Sequence, residues 1–517
     1  MAGPGTALAP LRGASLVIGT LGVSLATFMT VLDSSIANVS VPAIAGDMGV
    51  SPSQGTWVIT SFAVANAISV PLTGWLTRRF GQVRLMVSSI LLFVLCSWLC
   101  GVAPTIDILI AARVLQGLAA GPLIPLSQTL LLTSYPPARA GTAMAAWGMT
   151  VLVAPVVGPL LGGWITDNIS WPWIFYINIP VGLLSAAMTW SVYRRRESAS
   201  ARSPLDYFGL ALLVLWIGAL QLMIDLGKEL DWFESREIVT LALIAGVGFL
   251  VFLAWELTDA HPIVDLRLFG QRNFLIGTVC FSVSYGLFFG NVVLLPLWLQ
   301  QHMGYTAIWA GVALAPVGVF AIMLSPWVGR QIGRIDPRLL ATLAFLGYAL
   351  VLWLRSDFTS DADVGTILLP TVLQGVATAF YFIPLQAIIY ARLPMGRMPA
   401  SGGLSTFVRF TAGAMGTSAF TTLWERRAVM HHAHLTEQAA GSQGAMGQSL
   451  EQLRATGFTG EQALGVVNRL IDQQAYTMAV TDVFYLSAIL YLLLLIPLWF
   501  SSPAVGNPPG DGAGGSH

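Results

Sequence analysis

The chain has 517 residues, of which 55% are hydrophobic and 10% are charged, and its formal net charge is zero. Soluble domains carry about 25% charged residues, so this composition indicates an integral membrane protein. A neutral chain provides no basic surface for nucleic acid. Its single lysine, Lys228, stands outside any phosphate-binding loop motif. We therefore expect neither a nucleic-acid partner nor ATP-driven transport by this chain alone.

Runs of about 20 apolar residues are long enough to cross a bilayer as a helix. The first run is too long for the apolar part of a cleavable signal peptide, so it is predicted to be a membrane helix. We expect an all-α membrane protein with about fourteen transmembrane helices. These spans 1 to 14 are predicted at 14–39, 55–76, 85–103, 106–132, 141–165, 172–192, 207–225, 238–257, 274–299, 307–329, 338–354, 366–390, 400–423 and 480–500.

The arginines are concentrated in alternate loops, and this pattern predicts the orientation of the chain. A cytoplasmic N-terminus places most arginines in cytoplasmic loops and leaves Lys228, Arg236 and Arg355 in the short outer loops. That arrangement satisfies the rule that positive charge stays inside. We call the membrane face with these loops the arginine-rich side. An even number of spans returns the C-terminus to the same side, so both termini are predicted to be cytoplasmic.

The sequence contains an internal repeat. VLQGLAAGPLIPLSQ from Val114 matches VLQGVATAFYFIPLQ from Val372, and LTGWLTRRFGQ from Leu72 matches LSPWVGRQIGR from Leu324. Parallel repeats are typical of transporters that are built from two equivalent halves. We predict an N-terminal six-helix bundle at 1–193, two inserted helices at 205–258, a C-terminal six-helix bundle at 272–500 with an outer loop at 425–477, and a disordered cytoplasmic tail at 501–517.

Three charged residues inside the spans are candidates for function. A charged side chain at membrane depth costs at least ~2.5–3.5 kcal/mol, so it usually serves a function or a paired structural role. Asp33 in span 1 is the candidate proton carrier, with Arg113 in span 4 as its partner or gate. Alternatively, Asp33 fixes span 1 by hydrogen bonds, and Arg113 pairs with backbone carbonyls. Arg409 in span 13 has no evident acidic partner, and it either attracts anionic substrates or extends to the cytoplasmic side. Arg113 corresponds to Thr371 in the repeat, which assigns the proton chemistry to the N-terminal half.

A substrate cavity between two transporter halves is expected to combine aromatic side chains with a few polar anchors. Ordinary helix packing explains each candidate equally well. Three histidines near residue 432 match no tight zinc pattern, so no metal site is predicted, and no cofactor is implied. The cavity candidates are Phe62, Gln116, Gln128, Tyr285, Phe288, Asn291, Gln374, Tyr381, Phe407 and Arg409.

Several segments resemble the signature motifs of the major facilitator superfamily. They are LDSSIANVSVP from Leu32, GWLTRRFGQ from Gly74, RVLQG from Arg113 and APVVGPLLGG from Ala154. The segments QGTWVITSF, AGPLIPLSQ, GKELDWF and WELTD resemble its fourteen-spanner drug:proton antiporters of the EmrB type, and the similarity covers essentially the whole chain. One departure concerns the loop between spans 2 and 3. Arg78 stands where the superfamily usually has an aspartate, which alters the expected gate.

The resemblance implies two six-helix bundles plus two inserted helices, and rocking-type alternating access in the bacterial inner membrane. The implied activity is efflux of hydrophobic drugs and uncouplers in exchange for protons. It also implies a gating loop and, in span 5, an antiporter motif that seals exporters, although small-residue packing alone also explains its glycines. The gating loop comprises Gly74, Arg78, Arg79 and Gly81, and the antiporter motif comprises Ala154, Gly158, Pro159, Gly162 and Gly163.

The resemblance further implies a periplasmic adaptor of the EmrA type and an outer-membrane channel of the TolC type. The outer loop at 425–477 is then either a docking surface for a partner or a simple lid. A proton-coupled exporter of a metabolite, siderophore or lipid in the same fold remains an alternative. A membrane enzyme or receptor is disfavoured, because the sequence has no cluster of polar catalytic groups.

Overall fold

The computed structural model is built from α-helices, and each predicted span is found as one helix or as two consecutive helices. The structure describes residues 10–136, 139–198, 206–227, 229–259, 262–305, 307–332, 334–391, 393–394, 397–441 and 445–503. Spans 1 to 14 are Gly13–Asp47; Pro52–Ser69 with Thr73–Phe80; Gln82–Gly101; Ile106–Ala120 with Leu123–Ser134; Ala140–Asn168; Trp173–Tyr176 with Asn178–Tyr193; Tyr207–Gly227; Arg236–Thr258; Arg272–Gln301; Ala307–Gln331; Pro337–Ser356; Val364–Ala379 with Phe382–Tyr390; Met398–Gly441; and Gly460–Leu493 with Leu495–Trp499.

The fold class predicted from the apolar runs is confirmed. Within the described residues, eleven helices are long and apolar enough to cross a membrane, and a bent pair in span 2 makes a twelfth. Two more long helices, Ala140–Asn168 and Met398–Gly441, occupy the places of spans 5 and 13. The membrane half of span 13 is rich in Ser, Thr and Gly, which lowers its hydropathy. The predicted tail lies outside the described residues from residue 504 onward.

Several spans are interrupted by a break or a bend. Span 4 is interrupted before Leu123, where Pro122 lacks a backbone N–H donor. Span 12, its counterpart in the repeat, is interrupted between Ala379 and Phe382. Span 2 bends by 62° between Ser69 and Thr73. The two halves therefore share a broken fourth helix as well as similar sequence.

Spans 13 and 14 continue as helices through the segment predicted as an outer loop. Span 13 has 44 residues, which is about 66 Å of helix and twice the thickness of a bilayer core of ~30 Å. A further helix, Ala445–Ala455, lies between the two spans. The indole of Trp424 donates to the carbonyl of Tyr476 at 3.0 Å, and His431 Nε2 lies 2.9 Å from the carboxylate of Asp482. The two extensions thus pack together on the side opposite the arginine-rich side.

The inserted helices pack beside the junction between the two halves. Span 7 contacts span 2 of the N-terminal half and span 13 of the C-terminal half. The ring of Trp216 in span 7 meets Phe407 edge to face at 5.7 Å between centroids. Ser418 in span 13 donates to the carbonyl of Ile224 at 3.2 Å. Span 7 therefore borders the region where the halves must move relative to each other in any alternating-access cycle, and span 8 packs against span 7.

Candidate functional site

Asp33 and Arg113 form a buried ion pair inside the N-terminal half. Arg113 Nη1 lies 2.6 Å from Asp33 Oδ2, and both side chains are almost completely shielded from solvent. Arg113 Nε also donates to the carbonyl of Val58 at 3.0 Å. The guanidinium lies over the ring of Phe62, 4.2 Å from its centroid. The pair therefore joins span 1 to span 4, with span 2 packed against the cation.

Three neutral polar side chains complete a network around this pair. Gln116 Nε2 and Asn178 Nδ2 donate to Asp33 Oδ1 at 3.1 and 2.7 Å. The same two amides donate to the hydroxyl of Ser97 at 2.7 and 3.2 Å. The network thus connects spans 1, 3, 4 and 6. Sequence reasoning did not select Ser97 or Asn178, and the available signal was weak: each is a single neutral polar residue within an apolar run.

The network defines what a proton would do at Asp33. The carboxylate accepts hydrogen bonds from an arginine and two amides. A bound proton would cancel the attraction to Arg113, whose Nη2 already lacks a hydrogen-bond partner among the described residues. Protonation would therefore weaken the polar network that connects spans 1, 3, 4 and 6.

The C-terminal half contains a similar network in which the arginine has changed helices. Asn291, Arg355, Thr371 and Gln374 each follow Asp33, Ser97, Arg113 and Gln116 by 258 residues. Arg355 Nη2 donates to Gln374 Oε1 at 2.7 Å and to Thr371 Oγ1 at 3.2 Å, and Asn291 Nδ2 donates to Ser487 Oγ at 3.1 Å. Arg355, placed in an outer loop by the sequence, is instead fully buried at the end of span 11. No carboxylate contacts it among the described residues, so this half lacks the ion pair.

The antiporter motif packs span 5 directly against span 1. A Cβ atom added at Gly158 would lie 2.5 Å from Ser35 Oγ, and one added at Gly162 would lie 3.1 Å from the carbonyl oxygen of Ile36. Ala154 is fully buried, whereas a Cβ at Gly163 would meet no described atom within 4 Å. The side chain of Pro159 lies outside the described residues. The contacted residues, Ser35 and Ile36, follow Asp33 by two and three positions. A movement of span 5 would therefore shift the part of span 1 that carries the ion pair.

The gating loop lies where the two halves touch on the arginine-rich side. A Cβ atom at Gly74 would lie 2.7 Å from Ala400 Cβ in span 13. Gly81 has a φ of 88° and turns the chain into span 3. There the carboxylate of Glu197 accepts the backbone N–H groups of Val83 and Arg84, both at 2.9 Å. Arg78 and Arg79 are exposed.

Arg409 lies at the junction of the halves and has no acidic partner among the described residues. Its guanidinium faces Phe281 and Tyr285 of the C-terminal half, at 4.7 and 5.4 Å from the ring centroids. It also faces Trp147 of the N-terminal half at 5.7 Å. Nearby, Tyr390 donates to Gln128 Oε1 across the junction at 3.0 Å. Arg409 is 1% exposed, so it does not extend to the cytoplasmic side in this state.

The remaining cavity candidates lie in separate surroundings. Phe407 faces the inserted helices through Trp216. Phe288 stacks on Tyr381 at 6.4 Å within the C-terminal half. Tyr381 also donates to the carbonyl of Phe281, beside Arg409. Their role in substrate binding stays a prediction.

Comparisons with known proteins agree with this architecture. The sequence matches the Major Facilitator Superfamily over residues 23–417. It is 50% identical over 509 residues to the multidrug export protein EmrB of Escherichia coli strain K12, covering 98% of this chain and 99% of that protein. It is 47% identical over 508 residues to the fatty acid resistance protein FarB of Neisseria gonorrhoeae, with coverage of 98% and 99%.

A solved structure shares the fold at low sequence identity. The proton:xylose symporter XylE superposes with a TM-score of 0.61 at 14% identity, covering 96% of this chain and 98% of that one. The fold, the membrane spans and the full-length relatives point to the same assignment. The chain belongs to the major facilitator superfamily and, within it, to the EmrB-type multidrug permeases.

Proposed function

We propose that this multi-pass membrane transporter exports amphiphilic drugs and uncouplers in exchange for protons, with Asp33 as the proton carrier. The observation that carries the proposal is the buried ion pair between Asp33 and Arg113 at 2.6 Å. A charged pair inside a membrane bundle is expensive unless its partners satisfy it, so its retention favours a functional role. In the proposed orientation, both termini and the arginine-rich side face the cytoplasm of a bacterial inner membrane.

The proposed cycle is alternating access of the two halves. In the described state the halves touch at the gating loop, with Gly74 against Ala400 in span 13. This contact corresponds to a cavity that is closed toward the cytoplasm. Protonation of Asp33 from the outside removes its attraction to Arg113 and loosens spans 1 and 4. Span 1 is packed on span 5 through Gly158, and span 5 carries Trp147 to the junction. A shift of span 1 therefore changes the surface that faces the substrate.

The test measures drug-evoked proton release in proteoliposomes that contain this chain alone. The wild type should release protons when a gradient of a drug that is not itself a protonophore is applied, and Asp33→Asn and Arg113→Ala should abolish release. Asp47→Asn is the matched control because Asp47 ends the same helix and binds the indole of Trp171 at 2.7 Å, outside the network. Release that persists in Asp33→Asn would move the proton site elsewhere.

A second candidate substrate class is favoured by one relative. The gonococcal protein that is 47% identical is named for fatty acid resistance, so amphiphilic acids join the proposed substrates. Export of a single metabolite, siderophore or lipid is the alternative within this fold. A substrate screen in the same proteoliposomes distinguishes them, because a multidrug pump responds to chemically unrelated drugs.

We also propose that the extensions of spans 13 and 14 dock a periplasmic adaptor of the EmrA type, which leads to an outer-membrane channel of the TolC type. These extensions expose large apolar side chains, including Val429, Met430, Leu464 and Leu470. A charge placed there should block docking without affecting transport in proteoliposomes. Val429→Glu should therefore lose capture of the purified adaptor but keep proton release. Unchanged capture would exclude this surface.

A further inference from the structure

Arg409 has two unused hydrogen-bond donors at the centre of the molecule. Its Nε and Nη1 atoms have no partner among the described residues, and Nη2 reaches Thr406 Oγ1 only at 3.5 Å. The titratable side chains close enough to act on its charge are three tyrosines, Tyr285, Tyr381 and Tyr390. A guanidinium presents its donors as a rigid fork that matches a carboxylate or phosphate. Each two-pronged edge of the guanidinium pairs Nη2 with either Nε or Nη1, so at Arg409 both edges contain a donor without a partner among the described residues, and either edge suits an anion.

The surroundings of this fork are apolar and belong to both halves. Trp147 of span 5 lies on one side, and Phe281, Tyr285 and Phe410 lie on the other. Aromatic rings attract a cation through their faces, but they supply no acceptor for the N–H groups. An isolated buried charge is strongly unfavourable, and an incoming anion would relieve it. Because the rings also offer apolar contact area, the site suits a molecule with an anionic head and an apolar body.

We infer that Arg409 binds the anionic head group, a carboxylate or its equivalent, of an amphiphilic substrate, and that the surrounding aromatic side chains hold the apolar part. This inference rests on the proposed export function and names the substrate class that the junction selects. The guanidinium is enclosed between Trp147 and Phe281 in the described state. The ligand therefore enters when the halves separate. Arg409 then neutralises the ligand's charge when the halves close around it.

The test compares three probes that share one alkyl chain: dodecanoate, dodecanol and dodecyltrimethylammonium. Binding of each radiolabelled probe is measured on purified protein in phosphatidylcholine nanodiscs. Arg409→Gln should weaken dodecanoate binding by about tenfold or more, which is the loss expected for charge-assisted hydrogen bonds. Its dodecanol binding should change less than about twofold. Arg409→Lys keeps the charge but loses the two-pronged geometry, so its dodecanoate affinity should lie between those of the wild type and Arg409→Gln.

The matched control is Arg355→Gln, which removes another buried guanidinium of the same half that has no acidic partner among the described residues. Arg355 contacts Thr371 and Gln374 inside the bundle, so its loss should leave the preference for dodecanoate unchanged. Equal weakening of all three probes in Arg409→Gln would overturn the inference, and so would loss of the preference in Arg355→Gln. Removing an unpaired buried charge is not expected to unfold the protein.

A lipid phosphate presents the same chemistry as a substrate carboxylate, and a second arm separates them. Adding phosphatidylglycerol to the nanodiscs should leave dodecanoate binding within about twofold. If phosphatidylglycerol displaces dodecanoate, and Arg409→Gln loses lipid that copurifies with the wild type, the site belongs to a lipid. Equilibrium binding requires no proton exchange. Proton release that persists in Asp33→Asn, together with intact dodecanoate binding, would therefore count against the proposed proton site and leave this inference standing.

Discussion

Removing both members of the Asp33–Arg113 pair should destabilise the protein less than the two single removals combined. Loss of one partner of a buried ion pair costs about 3–5 kcal/mol, whereas replacing both by residues of similar volume is often close to neutral. Asp33→Asn keeps one acceptor oxygen for the amides of Gln116 and Asn178 but leaves Arg113 without a counter-charge. Arg113→Met keeps an apolar stem against the ring of Phe62 but leaves the carboxylate unpaired. We expect a coupling energy of about 2–4 kcal/mol between the two substitutions.

The measurement is a double-mutant cycle by equilibrium unfolding in mixed micelles, with sodium dodecyl sulphate as the denaturant. The wild type, Asp33→Asn, Arg113→Met and the double variant are compared in one detergent at one pH. Hydrogen bonds inside membrane bundles couple by about 0.6 kcal/mol on average, so the expected value separates an ion pair from ordinary polar contacts. A coupling energy at or below that average would refute the claim that this pair holds spans 1 and 4 together.

Two further predictions concern glycines at close contacts. Gly158→Ala places a methyl group 2.5 Å from Ser35 Oγ, so it should lower the free energy of unfolding by about 1–3 kcal/mol and reduce drug-evoked proton release. At Gly163 an added methyl group meets no described atom within 4 Å, so Gly163→Ala should leave both quantities unchanged in the same assays. Gly74→Val places its side chain against Ala400 Cβ, so the halves should no longer close on the arginine-rich side. A cysteine introduced at position 400 should then react faster with a water-soluble maleimide, and an unchanged rate would contradict this contact.

The membrane spans could be predicted from the sequence because the bilayer fixes both their length and their composition. Span 1, predicted at 14–39, is Gly13–Asp47, and span 12, predicted at 366–390, is a broken helix that ends at Tyr390. The extension of span 13 beyond residue 423 could not be predicted in this way. That part of the helix continues beyond the apolar run, and it packs against span 14 through Trp424 and His431.

The site residues that could be predicted are those whose charge interrupts an apolar run. Residues whose role depends on their three-dimensional surroundings could not be predicted. Asp33 and Arg113 could be selected because a charge at membrane depth is energetically costly and usually serves a function. Ser97 and Asn178 are neutral, and many such residues only bond to their own helix backbone. Arg355 comes directly after the predicted run 338–354, so its sequence position is equally consistent with an aqueous loop. Its burial depends on contacts with span 12, which no local pattern encodes.

The charge of the substrate should set how strongly the membrane potential drives the proposed exchange. Because Asp33 is the single proposed carrier, one proton enters for each substrate that leaves. An anion held by Arg409 and carried outward then adds a second inward positive charge, so 100 mV supplies about 4.6 kcal/mol, against about 2.3 kcal/mol for a neutral substrate. Electrical recordings on proteoliposomes adsorbed to a solid-supported membrane should therefore show about two, one and no net charges moved per molecule of dodecanoate, dodecanol and dodecyltrimethylammonium. Each net charge corresponds to ~2.3 kcal/mol per 100 mV. The same charge for all three would mean that the head group does not cross with its charge, and it would refute anion export through Arg409.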